Sequence, residues 1–215
     1  NCYWRQHCST FFKMINTSDE YEVWRYVDPE DLWVFDKLIL ARRLGYTCGP
    51  TGIPVPNPGV YIVRPCVNAM GLGLGTKRVF IDNNTEHLPV GHFWIEEFDG
   101  PHLSVDYHWG EQVLCVQGFK PHEEFIRWAA WSKVDFSKEL PDIIKPFAKK
   151  YEWINCEFIG NKVLEIHFRR NPDFDYNNSI FIPVWNEEMK DNPRYNTMQF
   201  IECPDVNGRI GAFVK

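Results

Sequence analysis

The sequence predicts an α+β protein, and three observations carry that expectation. Between Leu32 and Leu44 apolar residues recur at helical spacing (Leu32, Val34, Phe35, Leu38, Ile39, Ala41, Leu44). Beyond Leu44 the chain is mostly short apolar runs bounded by glycine, proline, asparagine and aspartate, which is the pattern of strands. Two of these runs, Ile154–Ile159 and Lys162–Phe168, are separated only by Gly160-Asn161, a hairpin turn.

In chain order, residues 1–27 read as an aromatic and polar lead-in with one strand, from the weak alternation over Glu22–Val27. Asp28-Pro29-Glu30-Asp31 opens the helix: an aspartate cap, proline in the first turn and two acids at the positive helix end. Gly45 ends it. Thr47–Gly59 is proline- and glycine-rich loop, extended over Ile53–Pro56. Val60–Val63 is a buried strand, and Val79–Asp82 a short one. Phe93–Phe98 and Leu103–Tyr107 are strands joined by the turn Asp99-Gly100-Pro101, followed by a strand over Glu111–Phe119. Helices are expected over Pro121–Ser132, with Trp128–Trp131 packing beneath, and over Leu140–Lys150. After the 154–168 hairpin, residues 173–215 form a polar, proline-punctuated tail with strands at Ile180–Trp185 and Met198–Glu202. No boundary is strong; Pro172 is the best break, giving 1–27, 28–172 and 173–215.

At 215 residues the chain suits one large domain or two small lobes. A hydrophobic content of 44%, with nine Trp and sixteen Phe, supports an aromatic-rich core. No apolar run approaches the roughly 20 residues that span a bilayer, so no membrane is expected as partner. The net charge of −6 argues against a nucleic-acid backbone as main ligand and leaves room for a local basic groove. Seven cysteines, at 2, 8, 48, 66, 115, 156 and 203, are scattered with no C-x-x-C. That suits reduced thiols in a cytoplasmic compartment. The chain begins at Asn1 with no signal-peptide pattern.

Two stretches carry chemistry. Val60–Lys77 is a strand, a basic residue at its end (Arg64-Pro65), and a loop with glycine at 71, 73 and 75, followed by Lys77 and Arg78. Alternate glycines let backbone N–H groups approach an anion. A hairpin turn explains the same loop equally well. In the hairpin, Glu157 and Glu165 fall on facing strands, and two carboxylates held close repel unless a cation or proton lies between them. His167 and Arg169 follow Glu165 at period 2 and share its face. A solvated hairpin face is the plain alternative. The functional reading is a hard-cation site that holds nucleotide phosphate through Mg²⁺, with Arg169 steadying negative charge.

The order of these pieces resembles the ATP-grasp family of carboxylate–amine ligases and biotin-dependent carboxylases. The resemblance rests on Asp36-Lys37; Gly52-Ile53-Pro54-Val55-Pro56; Ile62-Val63-Arg64-Pro65 with its glycine loop; Phe93-Trp94-Ile95-Glu96-Glu97-Phe98; Gly100–Asp106; and the hairpin with Ile154–Phe158 and Leu164–Arg169. It covers roughly residues 30–172, with six motifs in register.

The resemblance implies two α+β lobes, of mixed or antiparallel sheet, clamping a nucleotide. Lys37 matches the first nucleotide-binding lysine and Arg64 stands in place of the second. Gly71, Gly73 and Gly75 match the flap over the phosphates, and Glu96, Glu97 and Phe98 the hinge at the adenine edge. His102 falls near the ribose position. Glu157 and Glu165 match the metal-binding acids, His167 replaces an asparagine, and Arg169 matches the arginine of the acyl-phosphate step. The cofactors implied are ATP and Mg²⁺, or Mn²⁺ given the imidazole. The activity implied is ligation of a small-molecule or peptide carboxylate to an amine. Alternatives are a degenerate module that binds nucleotide or a partner protein without turnover, and phosphate transfer to a small molecule. Residues 1–27 are too short for the Rossmann-like domain that usually precedes the lobes.

Outside that context Lys37 reads as a solvated helix residue and His102 as a turn histidine. His87, His92, His108 and His122 lack ligand spacing, and Cys66 lacks a partner base. Loss of Glu165 is expected to abolish turnover and leave the fold intact.

Overall fold

A computed structural model describes residues 20–67, 73–120, 127–205 and 208–215. Its architecture is α+β: two antiparallel sheets with short helices packed against them. The smaller sheet has four strands, β1 (Cys48–Pro50), β2 (Gly59–Pro65), β3 (Lys77–Ile81) and β4 (His92–Glu96), in the order β1-β4-β2-β3. The larger sheet has β5 (His102–His108), β6 (Glu111–Phe119), β7 (Ala130–Lys133), β8 (Trp153–Ile159), β9 (Lys162–His167), β10 (Ile180–Val184), β11 (Gln199–Ile201) and β12 (Gly211–Val214). Its order is β11-β12-β10-β7-β6-β5-β8-β9. The segment 97–101 carries the chain from one sheet to the other.

The early helical stretch is broken where one continuous helix was expected. Pro29–Phe35 is a 3-10 helix, Asp36 is extended (φ −82°, ψ 106°), and helix α2 (Lys37–Arg43) starts afresh. Asp36 supplies the cap that Asp28 was expected to give, its carboxylate accepting from the Ile39 N–H at 2.9 Å. Asp28 instead lies 3.9 Å from Lys150. Glu22–Val27 falls within helix α1 (Glu20–Tyr26) and its end, not a strand, because Val23 and Val27 sit one helical turn apart and both bury into the main core.

The stretch expected as a helix over Pro121–Ser132 lies partly outside the described residues. Its described end is strand: Ala130–Lys133 pairs with β6 and β10. Gly118 on β6 lets the Trp128 and Trp131 rings approach where a Cβ would collide, so the tryptophans pack on a sheet and not beneath a helix. Leu140–Lys150 holds only a turn and a 3-10 helix, Lys145–Lys149, because Pro141 and Pro146 remove amide donors.

Alternation across the large sheet separates two faces. Leu103, Val105, Tyr107, Ile154, Cys156, Phe158 and Ile166 point toward the segments 23–40 and 140–151, building the main core. The other face is polar in its β5–β8–β9 half. In its β6–β10–β12 half it is apolar, where Leu114, Val116, Phe181, Ala212 and Val214 pack with Phe174. The tail therefore extends this sheet through β10, β12 and β11.

Candidate active site

The register of β5, β8 and β9 assembles the polar face. Ser104 lies opposite Glu157, and Asp106 opposite Asn155. On the far side Glu157 lies opposite Glu165, and Asn155 opposite His167. His102, two residues before Ser104, joins the same face. A bulge between Glu157 and Phe158 re-aims the strand beside the two acids. Glu157, Glu165 and His167 each offer one ligand atom, two carboxylate oxygens and an imidazole nitrogen, that lie within 4.8 Å of one another.

Two cations from elsewhere in the chain converge on Glu165. Lys37, the first residue of α2, places its ammonium against Oε2. Its own amide is anchored by the Cys66 carbonyl at 2.7 Å, which fixes the helix start against the end of β2. Arg64, near the end of β2, brings Nη2 to 3.4 Å from the same oxygen and Nη1 to 3.5 Å from the Leu164 carbonyl. Lys37 is 5% exposed, Arg64 4%, Glu165 8% and His167 3%. The solvated-helix reading of Lys37 is therefore excluded: it is among the most buried charges of the described residues.

Burial alone would raise the Glu165 carboxyl, but Lys37, Arg64 and His167 outweigh it and hold this acid well below the ordinary carboxylate range. Burial, and next the neighbouring Arg64, push the Lys37 ammonium down from its ordinary value, while Glu165 opposes them. Removing Glu165 would strand two buried cations, so its loss is expected to cost stability as well as turnover.

Glu157 is held differently. Its Oε2 meets His102 Nε2 at 3.0 Å. The His102 ring is set edge-on to Trp128 and Trp131, at centroid distances of 4.7 and 5.7 Å. His102 is thus not a turn histidine. Two buried nitrogens at the site, Arg64 Nε and His102 Nδ1, have no hydrogen-bond partner. An unpaired buried donor is costly unless a ligand or water meets it.

The remaining described positions make other contacts. Glu96 accepts from the Thr47 N–H at 3.1 Å and pairs with Lys162 at 2.8 Å, tying β4 to β9. Glu97 forms a forked pair with Arg78 at 2.9 to 3.1 Å. Phe98 packs edge-on against Tyr46 at 5.0 Å. Glu96 ends β4, and Glu97 and Phe98 open the segment that joins the sheets. Gly73 and Gly75 sit in the β2–β3 hairpin loop with φ of 71° and 78°; Gly71 lies outside the described residues. Arg169 donates to the Arg170 carbonyl at 3.2 Å and exerts its charge on Asp106.

A further polar network, not anticipated from the sequence, lies beside the acids. Asp106 is 1% exposed and accepts from Asn155 Nδ2 at 2.8 Å, the Asn171 N–H at 2.9 Å and Tyr176 at 3.4 Å. Ser104 Oγ accepts from Asn155 at 2.8 Å and Asn171 at 3.0 Å. Burial raises the Asp106 carboxyl, and these donors counter it. The network seats 171–176 on the polar face. Its signal was present: His102, Ser104 and Asp106 alternate as polar residues within an apolar strand.

Two carboxylates and an imidazole suit a hard or borderline divalent cation. The buried lysine and arginine, with an unpartnered Nε, suit phosphate. The residues present therefore fit a cation together with a polyphosphate.

No protein-family model matches this sequence, and no curated protein does. Solved structures do match, and those compared are ATP-grasp proteins. An L-amino acid ligase from Bacillus licheniformis matches at 11% identity and a TM-score of 0.48, over 85% of this chain and 66% of that one. The ATP-grasp ligase PsnB, complexed with a minimal precursor, matches at 14% identity and 0.43, over 69% and 59%. D-alanine–D-alanine ligase from Bacillus anthracis, complexed with ATP, matches at 15% and 0.33, over 63% and 56%. The chain spans less than two thirds of the length of each of these proteins.

Proposed function

We propose that this chain carries an ATP- and divalent-cation-dependent ligase site, which joins a carboxylate to an amine and forms ADP. The observation that carries this reading is the convergence of two buried cations, Lys37 and Arg64, on a paired-carboxylate cluster, with Arg64 Nε left without a partner. Structural ion pairs do not call for an unsatisfied buried guanidinium nitrogen beside two acids, whereas phosphate recognition does.

In the proposed reaction a substrate carboxylate oxygen attacks the γ-phosphorus, and the bond to the ADP oxygen breaks. An amine then attacks the acyl carbon, phosphate leaves, and the amine loses a proton. A divalent cation would supply neutralisation of phosphate charge, held by Glu157 and Glu165 with His167 beside them. Lys37 and Arg64 would bind phosphate oxygens, Arg169 would support charge developing on the transferred group, and the Gly73–Gly75 loop would cover it. Glu96, Glu97 and Phe98, at the joint between the sheets, would border the base, with His102 toward the ribose. Positioning and charge neutralisation do most of the work in such a transfer. The test is a screen for ADP release over amino acids and peptides with Mg²⁺ or Mn²⁺. ADP release that persists undiminished in Glu165→Gln would overturn the assignment.

A second reading, a module that binds nucleotide without turnover, is favoured by one observation. Arginine stands at 64 and histidine at 167, where the resemblance leads one to expect lysine and asparagine. Calorimetry with ATP and Mg²⁺ separates the two: heat of binding with no ADP released from any carboxylate–amine pair selects the second.

A further inference from the structure

Both cations of the site are committed to one acid. Lys37 Nζ touches Glu165 Oε2, and Arg64 Nη2 lies 3.4 Å from that oxygen. The other oxygen, Oε1, faces His167 Nε2 at 4.0 Å. Glu157 is bonded to His102. The cavity beside Lys37, Glu165 and His167 is lined also by Trp24, Val34, Phe35 and Ile166 and measures about 10 Å³. That is room for roughly one water. A divalent cation approaching Glu165 has to displace an ammonium and a guanidinium, and repulsion among cations is weakly screened in so buried a place. A polyphosphate meets the opposite situation: Arg64 Nε is buried, donates to nothing and is available to an anion.

We propose that Lys37 and Arg64 form an ionic latch on Glu165, which keeps divalent cations out until a polyphosphate draws the two cations away. The inference rests on the phosphate-and-cation reading of the same site. Once phosphate oxygens take up Lys37 and Arg64, Glu165 stands beside Glu157 with its charge uncompensated. A divalent cation then becomes its counter-ion. By linkage, the polyphosphate raises cation affinity and the cation raises polyphosphate affinity by the same factor.

The experiment is a titration of Mn²⁺ against the full chain without nucleotide, with unbound Mn²⁺ read by electron paramagnetic resonance. Wild type is expected to bind weakly. Lys37→Met, its fold checked by circular dichroism, is expected to bind at least about 10-fold tighter, within the usual range of coupling between sites. Lys37→Met combined with Glu165→Gln is expected to lose that gain. Arg64→Met serves if Lys37→Met does not fold. If neither folds even with millimolar Mn²⁺, the pairs are structural and the latch is overturned. The latch also fails if wild type binds Mn²⁺ as tightly as Lys37→Met. Calorimetry with a non-hydrolysable ATP analogue separates this inference from the reading beneath it. Analogue binding with no Mn²⁺ gain in Lys37→Met sinks the latch alone. A Mn²⁺ gain with no analogue binding to wild type sinks the nucleotide reading and leaves exclusion of cations by Lys37 standing.

Discussion

Glu157 and Glu165 are direct cross-strand partners, yet their carboxylates are committed to different parts of the chain. Glu157 is held from its own sheet by His102 on β5, whereas Glu165 is held by Lys37 and Arg64 from outside that sheet. Like charges directly opposite are destabilising in a sheet. Here the repulsion is relieved by pairing each acid with a separate basic group, so Glu165 also fastens β2 and α2 to β9.

That pairing predicts acid sensitivity. The Glu165 carboxyl titrates well below the ordinary carboxylate value in the folded chain. A depressed folded pKa means that the unfolded chain binds the proton first. The contribution of Glu165 is therefore complete above about pH 5 and is lost as pH falls through and below the ordinary carboxylate value of about 4.3. Unfolding midpoints in urea, measured from pH 7 down to about pH 3, are expected to fall less steeply for Glu165→Gln than for wild type. Parallel curves would show that Glu165 is not held as described.

Arg64 is expected to matter through its charge and its fork. Arg64→Ala should weaken nucleotide binding roughly 10- to 100-fold, the loss of one or two charge-assisted hydrogen bonds. Arg64→Lys keeps the charge and drops Nε, so calorimetry should place it between the two. Equal affinities for all three proteins would remove Arg64 from the phosphate site.

Asp106 is expected to anchor the segment that follows β9. Asp106→Ala takes the carboxylate acceptor from one Asn155 Nδ2–H, whose bond to Ser104 remains, and from the Asn171 N–H, at a cost of about 1–3 kcal/mol each. Hydrogen exchange should speed up over residues 171–176 before it does so in β5 and β8. Uniform loss of protection would mean that the network supports the whole sheet and not this segment.

Gly160 is expected to be hard to replace. It turns the β8–β9 hairpin at φ +59° and donates to the Pro101 carbonyl at 2.9 Å, and a Cβ there would strike the Asp99 carbonyl oxygen. Gly160→Ala should lower the melting temperature by several degrees, for a strain of roughly 1–3 kcal/mol. Because this contact joins the hairpin to the segment between the sheets, an unchanged melting temperature would show that the two are not locked together.

Most of the strands, the tight hairpin over Gly160-Asn161, and the facing of Glu157 and Glu165 are legible in the sequence. These follow from alternation, turn residues and period 2, all of which are local. It also marked Lys37, Arg64 and His167 as candidates. It did not determine that helix formation stops at Asp36 and restarts. That depends on the Asp36 cap and on the Lys37 amide bonding to Cys66. Nor did it reveal α1, whose seven residues show too little periodicity to be read, or β7, whose strand form depends on pairing with β6 and β10. The commitment of Lys37 and Arg64 to Glu165, each from more than a hundred residues away in the chain, is equally a matter of tertiary structure. Charge type is written in a sequence, but which opposite charge each one meets is set by how the two sheets and α2 come together, and so is whether water screens the meeting.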